Sequence, residues 1–187
     1  MKTLVESAKA AKAASLELAR LTTEAKNAAL RAMARALMEK SPEILAANEA
    51  DMQRGREGGM PESLLDRLML NEARIAGMAE GLEQVAGLPD PVGRVMDEWT
   101  RPNGLVIRKV RVPMGVIGII YEARPNVTVD AAALAFKAGS AILLRGSSSA
   151  YESNAALVRV MRGALEGCGV TPDAVCLVED PSHETVD

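Results

Sequence analysis

The spacing of apolar residues changes character near residue 90. Before that point they recur every three or four positions with Lys, Arg and Glu between them, as in helices that bury one face. Lys2 to about Arg20 carries Leu4, Val5, Ala8, Ala11, Leu16 and Ala19 at this spacing. Thr22 or Thr23 is placed to cap a second helix, whose stripe is Ala29, Leu30, Met33, Leu37 and Met38. Ser41-Pro42-Glu43 predicts a third start, with Ser41 as N-cap, Pro42 at the first helical position and an acid at the positive end of the dipole. That helix runs through Ile44, Leu45 and Met52 to a break at Gly58-Gly59. A short piece, Ser63 to Leu70, leads to Asn71, the cap of a helix burying Ile75, Met78, Leu82 and Val85.

LPDPVG (Leu88 to Gly93) ends the helical region with two prolines and a glycine. A hairpin comes next, turning at Pro102-Asn103-Gly104 and alternating Val106, Arg108, Val110 and Val112 with other residues. It either bridges layers at the surface or contacts another subunit, because exposed strands readily pair.

Beyond it the pattern becomes continuous. Met114 to Ile120 (MGVIGII) is apolar on both faces and shows no alternation, which predicts a central strand of a parallel sheet covered on both sides. Val127 to Lys137 is helical and stops at Gly139; Ala141 to Leu144 returns as a buried strand ending on Arg145. Ala150 to Glu166 buries Leu157, Val160, Met161, Ala164 and Leu165 and stops at Gly167; Ala174 to Val178 is a third strand. This is βαβαβ, half of a doubly wound sheet. Glu179-Asp180-Pro181 then predicts a turn, and SHETVD the first residues of another helix, so the chain is expected to be the front part of a longer protein.

Composition narrows the chemistry. In 187 residues, 48 % are hydrophobic but only 2 % aromatic, so the core is aliphatic and no base-stacking platform is available. Lys and Arg total 22 against 25 Asp and Glu, a formal charge of -3, which argues against a nucleic-acid partner. Cys168 and Cys176 lack a CxxC spacing and His183 is the only histidine, so no zinc set can be assembled and a Ser-His-Asp triad is disfavoured. No targeting segment or bilayer-length apolar run occurs, so no membrane association and a cytoplasmic protein are expected.

Ligands in such sheets sit beyond the carboxyl ends of the strands. The candidates are therefore Tyr121 to Asn126 and Arg145 to Ser149. Arg145-Gly146-Ser147-Ser148-Ser149 joins a cation, a glycine permitting close approach, and hydroxyls beside free N–H groups at a helix start, the parts of a phosphate or ribose site. Equally, the serines cap the helix and Arg145 is a strand-end charge. Neither G-x-G-x-x-G nor G-x-x-x-x-G-K-[ST] is present. The Asn126 amide can donate to an oxyanion or cap its helix. Arg124 can hold a carboxylate or phosphate, or remain a surface charge.

The string GVIGIIYEARPNVTVDAAALAFKAGSAILLRGSSSAYESNAAL, with LLDRL, LPDPVG and WTRPNGL upstream, resembles the gamma-glutamyl phosphate reductase family, a branch of the aldehyde dehydrogenase superfamily. The resemblance implies NADPH-dependent reduction of gamma-glutamyl 5-phosphate to glutamate 5-semialdehyde and phosphate, in proline biosynthesis. In that chemistry a cysteine thiolate displaces phosphate to give a thioester, which hydride transfer and collapse convert to aldehyde. By position, Asn126 falls on the superfamily's oxyanion-hole asparagine. Arg145 falls on its ribose-contacting lysine, and Ser148 on a glutamate that often binds the ribose hydroxyls in NAD-preferring members. A cation beside a neutral serine accepts a ribose 2′-phosphate where a carboxylate would repel it, which favours NADPH over NADH. Arg145, Gly146, Ser147 and Ser148 are thus the expected cofactor residues, Asn126 the catalytic one and Arg124 the substrate one. The resemblance also places the nucleophilic cysteine in a second domain beyond the third strand. Cys168 and Cys176 do not occupy that position, and both are expected to be structural.

The resulting expectation is an α/β chain with three parts: residues 1–96 as the helical layer of a cofactor-binding domain, 97–112 as an oligomerisation hairpin, and 113–187 as the βαβαβ half-sheet, with the catalytic domain lying elsewhere. The expected partners are a small-molecule substrate, further copies of the chain and the glutamate kinase of the same pathway. The competing expectation is a nucleotide-binding or oligomer-forming module without chemistry. A purely helical structural protein is disfavoured by the strands.

Overall fold

In the computed structural model, which describes residues 3–179, the longer N-terminal helices begin where a side chain can satisfy their first N–H groups, with one exception. Thr3 opens α1 (Leu4–Leu18) with a capping box shared with Glu6. Thr22 caps α2 (Thr23–Glu39) by accepting from the Ala25 N–H, and Asn71 caps α5 (Glu72–Gly87) by accepting from the Arg74 N–H. The exception is α3 (Ser41–Glu57). Ser41 was expected as its cap but lies inside the helix and makes no capping bond; Lys40 alone joins α2 to α3, and its near-helical backbone leaves no extended residue to act as a cap. A short α4 (Glu62–Leu68) links α3 to α5.

The face of α1 also differs from expectation. Ser7, Ala11, Ala14, Ser15 and Leu18 are buried, while Leu4, Val5 and Leu16 are exposed. Small residues let the helix lie close against the sheet, so the larger apolar side chains that define the sequence stripe end up outside. In α2 the stripe holds except at Met38, which is exposed.

β1 (Val95–Thr100) and β2 (Val106–Val110) pair antiparallel, Trp99 opposite Ile107, with Gly104 at φ +84° in the turn. The second sheet is parallel, in the order β3 (Val116–Ile120), β4 (Ala141–Arg145), β5 (Val175–Leu177). Among the described residues β4 is paired on both edges and β3 on one. An apolar run shows that both faces of a strand suit burial, not that both of its edges are paired. β3 starts only at Val116, since Gly115 has a left-handed φ of +99°; Met114 and Ile120 are exposed.

Two consecutive crossovers, through α6 (Pro125–Lys137) and α7 (Tyr151–Gly167), place these helices on one face of the sheet. α2, α3 and α5 pack outside them, and α1 covers the opposite face across all three strands. The doubly covered β4 accordingly buries Ala141, Ile142 and Leu144. α7 includes Gly167, the expected stop, and ends at Cys168 before the left-handed Gly169. The helix start expected after Asp180, and His183, lie outside the described residues.

One buried polar cluster ties LPDPVG to this core. Asp90 forms an ion pair with Lys26 and accepts from the Thr23 hydroxyl at 2.9 Å, while Lys137 Nζ donates to Asn27 Oδ1 at 2.6 Å and the Ala86 carbonyl at 2.9 Å. Burial pushes the Asp90 carboxyl up, but hydrogen bonds from Lys26, the Val92 N–H and Thr23 outweigh it and hold the group below the usual carboxylate range.

Candidate functional site

β3 and β4 both end at the same edge of the sheet, and the segment leaving each strand builds half of a two-part cleft. After β3, Tyr121 continues the ladder by donating its N–H to the Arg145 carbonyl at 3.1 Å. The chain then turns through Glu122 and Ala123 into Arg124, the N-cap of α6, which has no side-chain capping bond. Pro125 is pre-set for the first helical turn and brings no N–H. Asn126 therefore projects from an uncapped helix start and is exposed.

The first half of the cleft, about 490 Å³, lies between this helix start and the α4–α5 region; its polar lining includes Arg67, Arg74, Arg124, Asn126 and Asp130. Arg74 is already used, donating to the Met69 carbonyl at 2.7 Å and pairing with the Asp66 carboxylate at 2.9 Å. Arg67 forms an exposed ion pair with Glu122 at 3.8 Å. Arg124 has no side-chain partner among the described residues. The Asn126 amide donates to Asp130 Oδ2 at 3.4 Å. Burial raises the Asp130 carboxyl above its usual range, against the pull of that hydrogen bond.

The second half, about 610 Å³, contains Tyr121, Glu122, Arg145, Ser147, Ser148 and Ser149, and shares Arg67 with the first. Arg145 is half-buried at the end of β4 and Ser148 is exposed. Ser147 accepts from the Ser149 N–H at 3.3 Å, opening a 3₁₀ turn, Ser148–Ala150, that leads into α7.

Two features here differ from the sequence expectation. The N–H groups at the start of α7 are not free: Asp51 of α3, whose side chain is fully buried, accepts from the Glu152 N–H at 3.3 Å, the Ser153 N–H at 2.8 Å and the Ser153 hydroxyl at 2.6 Å. Gly146 is buried, and the space its missing side chain leaves belongs to the protein. A Cβ there would collide with Asn154 Nδ2 and come within 3.2 Å of the Tyr121 ring. Tyr121 and Thr128 hydroxyls lie 2.6 Å apart, and Thr128 donates to Asn154 Oδ1 at 2.8 Å, so one chain of contacts fixes both loops. Burial pushes the Tyr121 phenol up to about 12, which keeps it neutral.

The structure thus brings Arg124 and Asn126 together in one half and Arg145, Ser147 and Ser148 in the other. Neither cysteine joins them. Cys168 caps the far end of α7, about 25 Å from its start at 1.5 Å per residue; Cys176 is buried on β5, its thiol donating to the Asp173 carbonyl at 3.3 Å. Among the described residues no group of His, Cys, Asp and Glu could hold a metal ion, and no helix is long and apolar enough to cross a membrane.

An α/β chain with N-terminal helices, a projecting hairpin and a βαβαβ half-sheet is the N-terminal portion of the aldehyde-dehydrogenase-like fold. A propionaldehyde dehydrogenase from Clostridium phytofermentans superposes with a TM-score of 0.69 at 13 % identity, covering all of this chain and 39 % of that one. The particular relatives are gamma-glutamyl phosphate reductases, and the chain is homologous along its length to their N-terminal part. The Anoxybacillus flavithermus protein of that name is 53 % identical over 99 % of this chain and 45 % of its own length; the Moorella thermoacetica protein is 59 % identical over 90 % and 40 %. The crystal structure of the Thermotoga maritima gamma-glutamyl phosphate reductase matches with a TM-score of 0.97 at 47 % identity, covering 99 % of this chain and 45 % of that one. The chain spans about 45 % of the length of the first curated relatives it matches. No protein-family model matches it.

Asp51 and Asp130 escaped the sequence reading. Nothing local marks Asp51, which caps a helix 101 residues away. Asp130 did carry a signal, as the one acid in PNVTVDAAALAFK, a single turn beyond Asn126.

Proposed function

We propose that the protein carrying this chain reduces gamma-glutamyl 5-phosphate to glutamate 5-semialdehyde in proline biosynthesis, using a nicotinamide cofactor, and that this cofactor is NADPH. The observation that carries the reading is the exposed Asn126 amide at an uncapped helix start, one cleft wall away from Arg145 and Ser148. In this reading Asn126 donates to the substrate carbonyl oxygen as it gains charge, and Arg124 takes an anionic group of the substrate. Removing one such donor costs about 10²–10³ in turnover in well-studied enzymes. The nucleophilic thiolate is supplied by a part of the protein outside this chain.

The donor set after β4 fits a ribose 2′-phosphate: Arg145, the Ser147 and Ser148 hydroxyls, and, among the lining residues described, one carboxylate, Glu122, which already faces Arg67. Asp51 closes the α7 start to a phosphate, so the fit rests on Arg145 and the hydroxyls rather than on the helix dipole. Gly146 contributes by letting Asn154 and Tyr121 fix that loop. Bound NADPH would supply the hydride.

The β1–β2 hairpin serves contact between copies of the chain. Both strands are exposed along nearly their whole length, with Trp99 and Val106 open to solvent, and an isolated two-stranded hairpin is marginal in water. Because an acyl phosphate is made by phosphoryl transfer to a carboxylate, the pathway's glutamate kinase is the proposed enzymatic partner. The test is oxidation of glutamate semialdehyde by the complete protein. Turnover that requires both NADP⁺ and phosphate supports the assignment; turnover without phosphate, or none with either cofactor, refutes it.

A further inference from the structure

Asp130 stands in the same cleft as Arg124 and Asn126, without a cation of its own. The cleft's other acid, Asp66, is paired with Arg74. The one polar partner of Asp130 among the described residues is the Asn126 amide. From the N-cap through the second turn of α6 the cleft therefore presents an unpaired guanidinium, an exposed amide and a carboxylate without a cation. That is the complement of a substrate with an anion, a reacting carbonyl and a cation.

We infer that Asp130 is a specificity-determining residue that receives the α-ammonium group of the amino-acid substrate. The assignment rests on the reaction proposed above. In a gamma-glutamyl group, three carbon–carbon bonds and one carbon–nitrogen bond separate the ammonium from the acyl carbon, a reach of about 5 Å when extended. Asp130 Oδ2 is 3.4 Å from the Asn126 nitrogen, and hydrogen bonds of about 2.9 Å splaying outward from the two residues bracket a group of that length. A carbonyl held by Asn126 thus leaves the ammonium within range of Asp130. Burial already disfavours the charged form of this carboxyl, and an arriving ammonium restores that balance.

The competing role is purely positional: Asp130 would only orient the Asn126 amide. Asp130→Asn separates the two, because an asparagine keeps an acceptor for Asn126 and loses only the charge. Asparagine is nearly the same size, and Asp130 has no other polar partner among the described residues, so the fold tolerates the exchange. The experiment compares kcat/KM of the complete protein and its Asp130→Asn variant for glutamate semialdehyde and for 5-oxopentanoate, the same aldehyde without the amino group, with NADP⁺ and phosphate. The expected result is a loss of about tenfold or more for glutamate semialdehyde, carried by KM, with little change for 5-oxopentanoate. Equal losses on both substrates would make Asp130 a positioning residue and overturn the inference, as would no loss on either. Wild-type protein inactive on both would contradict the reaction itself, and this assignment with it.

Discussion

The amino ends of α6 and α7 stand side by side at the carboxyl edge of one sheet, yet one is open and the other is closed. At α7 the fully buried Asp51 takes the Glu152 and Ser153 N–H groups and the Ser153 hydroxyl, with Asn48 bonded to the same hydroxyl at 3.0 Å. At α6 the N-cap offers no side-chain acceptor, and Arg124, Asn126 and Asp130 face a cleft. The Gly-Ser-rich loop has the composition of an anion site, while the turn without a glycine holds the open helix end. Local sequence shows which groups a loop possesses; only packing shows which of them are already spent.

Opening the closed end should have the largest effect. Asp51→Ala orphans two buried donors and one half-buried donor, removes the partner of Arg54, and is expected to cost about 4 kcal/mol of unfolding free energy by urea denaturation; a loss below about 1 kcal/mol would mean that water replaces the carboxylate and that the end is not closed. Asp90→Asn tests the other closed cluster. It leaves Lys26, which is 1 % exposed, without its counter-charge, at a cost of about 3 kcal/mol. Because the Asp90 pKa is depressed in the fold, its contribution is present above its unfolded value and lost as pH falls through the folded one. The variant should therefore show a flatter acid limb, and an unchanged limb would contradict the role of Asp90.

At the open cleft the effects should fall on activity and leave stability alone. Arg145→Glu places a carboxylate where the 2′-phosphate is proposed to sit, and should lower the NADPH-to-NADH preference by about tenfold or more. An unchanged preference would remove Arg145 from that role. Arg124→Ala should raise the Michaelis constant for the acyl substrate by about five- to tenfold, as expected for one solvent-exposed charged contact; an unaltered constant would return Arg124 to the status of a surface charge.

Much of the fold was legible. Stripes in α2 and α5, the turn at Gly104 and the three apolar runs located nearly every element, because each signal is local. What failed was relational. The Ser41 cap lost to a one-residue connection, and α1 buries its small residues rather than its larger apolar ones. In the site, the positions of Asn126, Arg124 and Arg145 came from the rule that ligands gather at strand ends. The spent state of the α7 start depends on Asp51, 101 residues away in sequence, and the reason for Gly146 on Asn154, 8 residues away.

Catalysis in this reading turns on the open end of α6 stabilising the reacting carbonyl. Turnover of glutamate semialdehyde by Asn126→Ala in the complete protein, with NADP⁺ affinity and thermal unfolding measured beside it, tests that most directly. A fall of about 100-fold in turnover, with affinity and unfolding unchanged, is the predicted result. Undiminished turnover would contradict it and leave the open end without a catalytic role.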